Sequence, residues 1–220
     1  MTLRAATDLL CALVAIKSRE HCKSRLAGVL AQAERRELVR SMLSNVLDAA
    51  HQARCVHKVV VISPERGDVP QDTAVLADAG ESLNAALTQA RAQLHAMGNA
   101  AAIILPADLP RLSAADIEAF VQAGRQSGFA IAPDRAHRGT NALFLRTDTP
   151  FTFRFGPDSL RLHLREAAER GLTACVVELP GLAFDVDEPA DLAALELQAP
   201  AGRREDNLRE EAAWQTRTRL

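Results

Sequence analysis

Residues 101–110 read AAIILPADLP, and this stretch limits the possible folds more than any other. An apolar run closed by proline suits a strand buried on both faces, as in a parallel sheet. One carboxylate, Asp108, follows between two prolines. Open α/β sheets take their ligands outside the carboxyl ends of the strands, so Asp108 stands where a site is expected. On this stretch alone, an aspartate that starts a turn and one that does chemistry are equally good readings.

The rest of the chain repeats the pattern. Residues 9–16 (LLCALVAI) form a second continuous apolar run and the first central strand, and 58–63 (KVVVIS) another. Shorter strands are expected at 75–79 on an edge, and at 129–132, 141–146 and 174–179. Between them lie helical periodicities. Residues 34–50 carry Leu38, Met42, Val46 and Ala49 on one stripe, and 81–97 carry Leu83, Leu87, Ala90 and Leu94. Ser113 and Asp116 have the spacing of a capping box, ahead of a helix with Ile117, Phe120 and Val121. A further helix at 160–170 is stopped by Gly171, and the last begins at Pro189. Alternating strands and helices mean an α/β fold with a mainly parallel sheet.

At 220 residues the chain suits one such domain, assigned to 1–199, with a polar tail at 200–220. A net charge of −2, with both signs interspersed, leaves no footprint for nucleic acid or an anionic membrane. No apolar run approaches the length of a membrane span and the start lacks a signal-peptide plan, so the expected location is the cytoplasm. Four scattered cysteines give neither a CxxC clip nor a disulfide framework, and the six histidines lack zinc-site spacing. A homodimer is compatible with the sequence, which does not require one.

Besides Asp108, five places could carry chemistry. After the first strand comes a basic loop with Lys17, Arg19, Lys23 and Arg25, at the usual phosphate-handling position of an α/β sheet. Its cations supply counter-charge for a triphosphate, although a solvated loop looks the same. Neither GxGxxG nor GxxxxGK[ST] occurs, which argues against dinucleotide and P-loop sites. Asn84, in the first turn of its helix, is either a capping group or a reader of a base. Gly139, Thr140 and Asn141 offer a flexible backbone, a hydroxyl and an amide for an oxyanion, or else form a plain hairpin connection. Gly156, Pro157 and Ser159 at a helix start make a second anion nest. Asp185 and Asp187 point the same way if extended and, with Glu188, form a second acidic candidate for metal.

In chain order, KSRL, the LNAAL helix start, LPADLP, GTNAL, FGPxS and DVDxPADL resemble the guanylyltransferases that build the side chain of the deazaflavin coenzyme F-420. LPADLP and DVD are shared with wider nucleotidyltransferases; GTNAL followed by FGPxS is more specific. The resemblance runs from about residue 13 to 195. It implies a Rossmann-like, three-layer nucleotidyltransferase of the nucleotide-diphospho-sugar type, moving GMP from GTP to a phosphorylated three-carbon acid and releasing pyrophosphate. The acid would be 2-phospholactate, phosphoenolpyruvate or 3-phosphoglycerate. It further implies magnesium on Asp108 and Asp187, with Asp185 the less certain neighbour. Thr140, Gly156 and Ser159 would grip the acid, flanked by Asn141 and Asp158. Lys17, Lys23 and Arg25 would face the triphosphate, and Asn84 the nucleotide. Two departures stand out: Ser82 replaces a frequent glycine before Leu-Asn-Ala, and Asp158 replaces the third residue of Gly-Pro-Gly-Ser. A carboxylate at 158 either accepts a hydrogen bond from a hydroxylated acid, caps the next helix or faces solvent. The alternatives are a molybdopterin-type nucleotidyltransferase, disfavoured by the missing LxGGxxxR loop, and a non-catalytic nucleotide-binding protein on the same fold.

Overall fold

The computed structural model describes residues 9–16, 23–77 and 82–197. Seven strands form one sheet: β1 (Leu10–Ala15), β2 (Lys58–Ser63), β3 (Ala74–Ala77), β4 (Ala101–Pro106), β5 (Phe129–Pro133), β6 (Thr140–Arg146) and β7 (Ala174–Val176). Their order is β3-β2-β1-β4-β6-β5-β7. All neighbours pair in parallel except β6, which runs antiparallel to both β4 and β5. Helices α1 (Gln32–Gln52), α2 (Leu83–Ala96), α3 (Ala114–Ser127) and α4 (Ser159–Glu169) accompany the sheet, with a single turn α5 (Pro180–Ala183) and α6 (Pro189–Leu197) after β7.

The apolar runs behave as double-faced strands. Ala101, Ile103 and Leu105 of β4 enter one core cluster with Val46, Ile117 and Phe120, while Ala102 and Ile104 enter the other with Leu87 and Leu160. Burying each large aliphatic side chain this way contributes roughly 1.5–3 kcal/mol, so the strand-on-both-faces pattern is what drives the three layers together. Caps then set the helix ends. The Ser113 hydroxyl accepts the Asp116 N–H at 3.2 Å and Asp116 accepts the Ser113 N–H at 3.0 Å, the expected box at the start of α3. Ser82 caps α2 by accepting the Ala85 N–H at 3.2 Å.

One reversal positions the site. Because β6 is antiparallel, its first residues, Thr140 and Asn141, lie at the edge where β4 ends and Asp108 begins. Two motifs far apart in sequence thus share one rim. A small third cluster of Leu26, Met42, Phe184 and Val186 holds residues 23–26 against the final acidic segment at the same rim.

Candidate active site

A cleft of about 430 Å³ opens at this rim. Asp108, Asp185, Asp187 and Arg25 line one side; Thr140, Asn141 and the turn 156–159 line the other. That volume lies in the range of small-molecule sites.

On the charged side, Lys23 reaches between two carboxylates. Its Nζ donates to Asp108 Oδ2 and to Asp187 Oδ1, each at 2.7 Å. Burial alone would push the Lys23 amine down, but the Asp108 and Asp187 charges outweigh it and hold the pKa above the ordinary lysine range. Lys23 has a left-handed backbone, φ 57°, a costly conformation for a non-glycine residue and one that clusters at functional sites. The fully buried Leu26, one 3-10 turn later, anchors the loop that imposes it.

Each carboxylate has its own support. Asp108 sits between Ala107, whose N–H donates to Ala15 O at 3.1 Å, and the fully buried Leu109. Asn45 of α1 steadies the turn by donating to the carbonyls of Leu109 and Leu112, both at 3.1 Å. Asp187 follows an extended stretch in which Phe184 and Val186 are buried and the intervening Asp185 turns to the cleft. Asp191 accepts the N–H groups of Asp187 and Glu188 at 2.9 and 2.8 Å and pairs with Arg135. Burial would raise the Asp191 pKa, yet those bonds hold it below the usual carboxylate range. Arg111 and Arg135 both stack over the Phe184 ring, 3.6 and 4.3 Å from its centroid. Asp185 differs: burial, reinforced by the Asp108 charge, raises its pKa, and Asn141 donates to it at 3.3 Å.

These contacts bear on metal binding. Among the described residues, no three histidine, cysteine or acidic groups form a ready-made cage. Asp108 and Asp187 nevertheless converge on one cationic point, filled by the Lys23 ammonium, and the ammonium stands in for the kind of species the pair can hold. Two carboxylates completed by substrate oxygens suit magnesium, which rarely occupies an all-protein cage.

On the opposite side Arg138 and Asp158 line the rim, but the groups behind Thr140 and Gly156 are held mainly by hydrogen bonds rather than by ion pairs. Residues 151–155 are not a strand, yet side chains accept three of their amide protons. Glu166 accepts the Thr152 N–H, His163 Nε2 the Arg154 N–H, and Asn84 the Phe155 N–H, at 3.1, 2.9 and 2.8 Å. Asn84 also donates to Phe155 O at 3.0 Å, so its amide holds the approach to Gly156 from both ends. Gly156 has φ 137°, a conformation that side chains resist. Ser159 begins α4, 2% exposed, and Thr140, 7% exposed, lies 3.0 Å from His163 Nδ1.

Most of the expected site residues therefore meet at one rim. Lys17 lies outside the described residues, as does the tail at 200–220. Arg25 lines the cleft in an exposed pair with Glu188 at 3.2 Å. Asp158 lines the rim but makes no side-chain cap; its own backbone is left-handed, φ 56°, and its carboxylate is 61% exposed, 3.9 Å from Arg161. Glycine would adopt this φ more freely than the aspartate that stands there. Sequence reasoning missed Asn45, His163, Asp191 and Arg138. Arg138 lines the cleft just before Gly139, and its guanidinium has no hydrogen-bond or ion-pair partner among the described residues. A cation adjoining GTN was a visible signal, and so was a histidine on the buried stripe of α4.

The family described as Guanylyl transferase CofC like matches residues 10–210 of this chain. The chain belongs to that family. A phosphoenolpyruvate guanylyltransferase of Chloroflexus aggregans is 40% identical over 183 residues, 80% of this chain and 91% of the relative. A namesake from Sphaerobacter thermophilus is 40% identical over 200 residues, 89% and 96% of the two chains. A 3-phospho-D-glycerate guanylyltransferase of Phenylobacterium zucineum is 37% identical over 205 residues, 88% and 92%. In structure, a Desulfovibrio desulfuricans protein assigned to the nucleotide-diphospho-sugar transferases matches with TM-score 0.74 at 19% identity, covering 93% of this chain and 95% of that one. That likeness shows the three-layer nucleotidyltransferase fold. This CofC-like protein is thus a guanylyltransferase enzyme with small-molecule substrates, and no helix among its described residues is long and apolar enough to cross a membrane.

Proposed function

We propose that this CofC-like enzyme transfers GMP from GTP to the phosphate of a three-carbon acid in the route to coenzyme F-420. The acid is phosphoenolpyruvate or 3-phosphoglycerate, with 2-phospholactate as the third candidate. The observation that carries the proposal is the Asp108 and Asp187 pair, bridged by the Lys23 ammonium, lining one cleft with Thr140 and Ser159.

In the reaction, an oxygen of the acid's phosphate bonds to the α-phosphorus of GTP while the bond to the β-phosphate bridge breaks, and pyrophosphate leaves. The attacking oxygen is already anionic near neutral pH, so no general base is needed. Repulsion between two anions is the obstacle. Asp108 and Asp187 would hold magnesium, which when bound supplies charge neutralisation and orients phosphate oxygens. Lys23, displaced from the carboxylates, and Arg25, freed from a weak exposed pair, are then available to the triphosphate. Thr140, Gly156 and Ser159 seat the acceptor, and Arg138 supplies a cation for its carboxylate.

The test is pyrophosphate release with GTP, magnesium and each acid separately, with the next enzyme of the route added to trap a labile product. Release that requires both GTP and one of the acids is expected. Equal turnover with CTP or ATP, or release indifferent to the acid, would sink this reading.

A further inference from the structure

Thr140 belongs to the acceptor wall of the proposed site, and what lies behind it has no part in that reading. His163, one helical turn after Ser159, is fully buried against Phe151 and Phe155, with ring centroids 5.8 and 4.8 Å away. Its two nitrogens have different partners. Nε2 faces the backbone N–H of Arg154 at 2.9 Å. A backbone N–H can only donate, so Nε2 must keep its lone pair and accept. The ring is then either neutral with its proton on Nδ1, or it loses this bond. Nδ1 faces Thr140 Oγ1 at 3.0 Å. With the proton on Nδ1, the imidazole donates and the threonine oxygen accepts. Thr140 Oγ1 makes no other hydrogen bond among the described residues, and Thr140 is one of the residues that line the cleft.

We infer that His163 is a positioning residue: by donating to Thr140 Oγ1 it leaves the threonine hydroxyl proton free to point into the cleft, as a donor to the anionic acceptor. The alternative tautomer would reverse the wall's polarity. Thr140 would then turn its proton inward to Nδ1 and show lone pairs to an anion, which repels it. Burial pushes the His163 pKa down to about 4, helped by the Arg154 charge and opposed by Glu166, so the ring stays neutral in the working range. A neutral ring is needed because a protonated one would lose the Arg154 contact. The arrangement thus uses a backbone amide to set a tautomer, and the tautomer to set a hydroxyl.

The functional half of this inference rests on the acceptor seat proposed above; the tautomer does not. Nitrogen-15 NMR of the substrate-free protein should find His163 protonated on Nδ1 and bare on Nε2. Protonation on Nε2 would overturn the inference outright. In kinetics, His163→Gln offers Oε1 to the Arg154 N–H but removes the donor to Thr140, whereas His163→Asn keeps a donor near the Nδ1 position. His163→Gln should raise KM for the acid roughly three- to tenfold, the loss of one neutral hydrogen bond, with KM for GTP unchanged. His163→Asn should recover part of that loss, and in a Thr140→Val background His163→Gln should add nothing further. A rise in both KM values, or full additivity with Thr140→Val, would mean that His163 only supports the segment at 151–155, and would overturn the inference. An unchanged acid KM in Thr140→Val alone would instead overturn the acceptor seat while leaving the NMR result intact. If both His163 variants fail to fold, the wild-type NMR spectrum still decides.

Discussion

On one side of the cleft Asp108 and Asp187 are bound by charge to the buried Lys23; on the other, Thr140 and the approach to Gly156 are held by neutral hydrogen bonds with His163 and Asn84 behind them. In the proposed reaction the charged wall would exchange its resident cation for substrate and metal, so its contacts would have to break during turnover. The neutral wall is preset by buried aromatic rings and side-chain acceptors, and nothing in it needs to move. The difference suits the two jobs. Neutralising a triphosphate calls for strong, replaceable charges, whereas placing an attacking oxygen calls for fixed direction.

Breaking the charged wall should have the largest effect. Asp108→Asn and Asp187→Asn are each expected to lower kcat/KM by at least about a hundredfold, roughly 3 kcal/mol of transition-state stabilisation, and Asp185→Asn by less. Steady-state kinetics on protein checked for folding would decide, and near-normal turnover in folded Asp108→Asn would discard the two-carboxylate site. Replacing the resident cation comes next. Lys23→Met should cut kcat/KM for GTP by roughly ten- to a hundredfold, a charge-assisted contact. Because two carboxylates then face each other without the ammonium, the nucleotide-free variant should bind manganese more tightly than wild type in a calorimetric titration. Weaker binding would show that Lys23 does not compete for the metal position.

The neutral wall should respond to acid. His163 is depressed to about 4 in the fold against about 6.5 unfolded. Between those values the unfolded chain binds more protons, so stability falls as pH falls through that window and is fully present above it. Denaturant melts of wild type and His163→Gln from pH 7.5 to 4.5 should therefore converge, the wild type losing up to about 3 kcal/mol relative to the variant. Parallel curves would mean that the ring is not held neutral.

The smallest effect is expected at the lip. Asp158 has a left-handed backbone and an exposed carboxylate. Asp158→Gly should raise stability by roughly 0.5 kcal/mol, strain relief partly offset by glycine's chain entropy. The ratios of kcat/KM among the three acids should stay the same. A shift in those ratios would bring the carboxylate into acid selection after all.

Much of this protein was legible from residue order alone. Continuous apolar runs dictated double-faced strands, since only a sheet covered on both sides can bury every side chain of AAIIL. Proline and aspartate after β4, and alternating Asp185, Val186 and Asp187, marked the acidic rim by local rules of turn and period. What tertiary structure alone decided was pairing over long separations. Lys23 meets Asp108 and Asp187 across 85 and 164 residues, and Thr140 meets His163 across 23. The antiparallel run of β6 brought GTN to the rim, and a hairpin connection in the sequence does not specify which strand its second arm will join. The same limit hid Asn45, Asp191 and His163. A polar side chain on a buried stripe has no visible purpose until the backbone amide or carbonyl it satisfies has been folded against it.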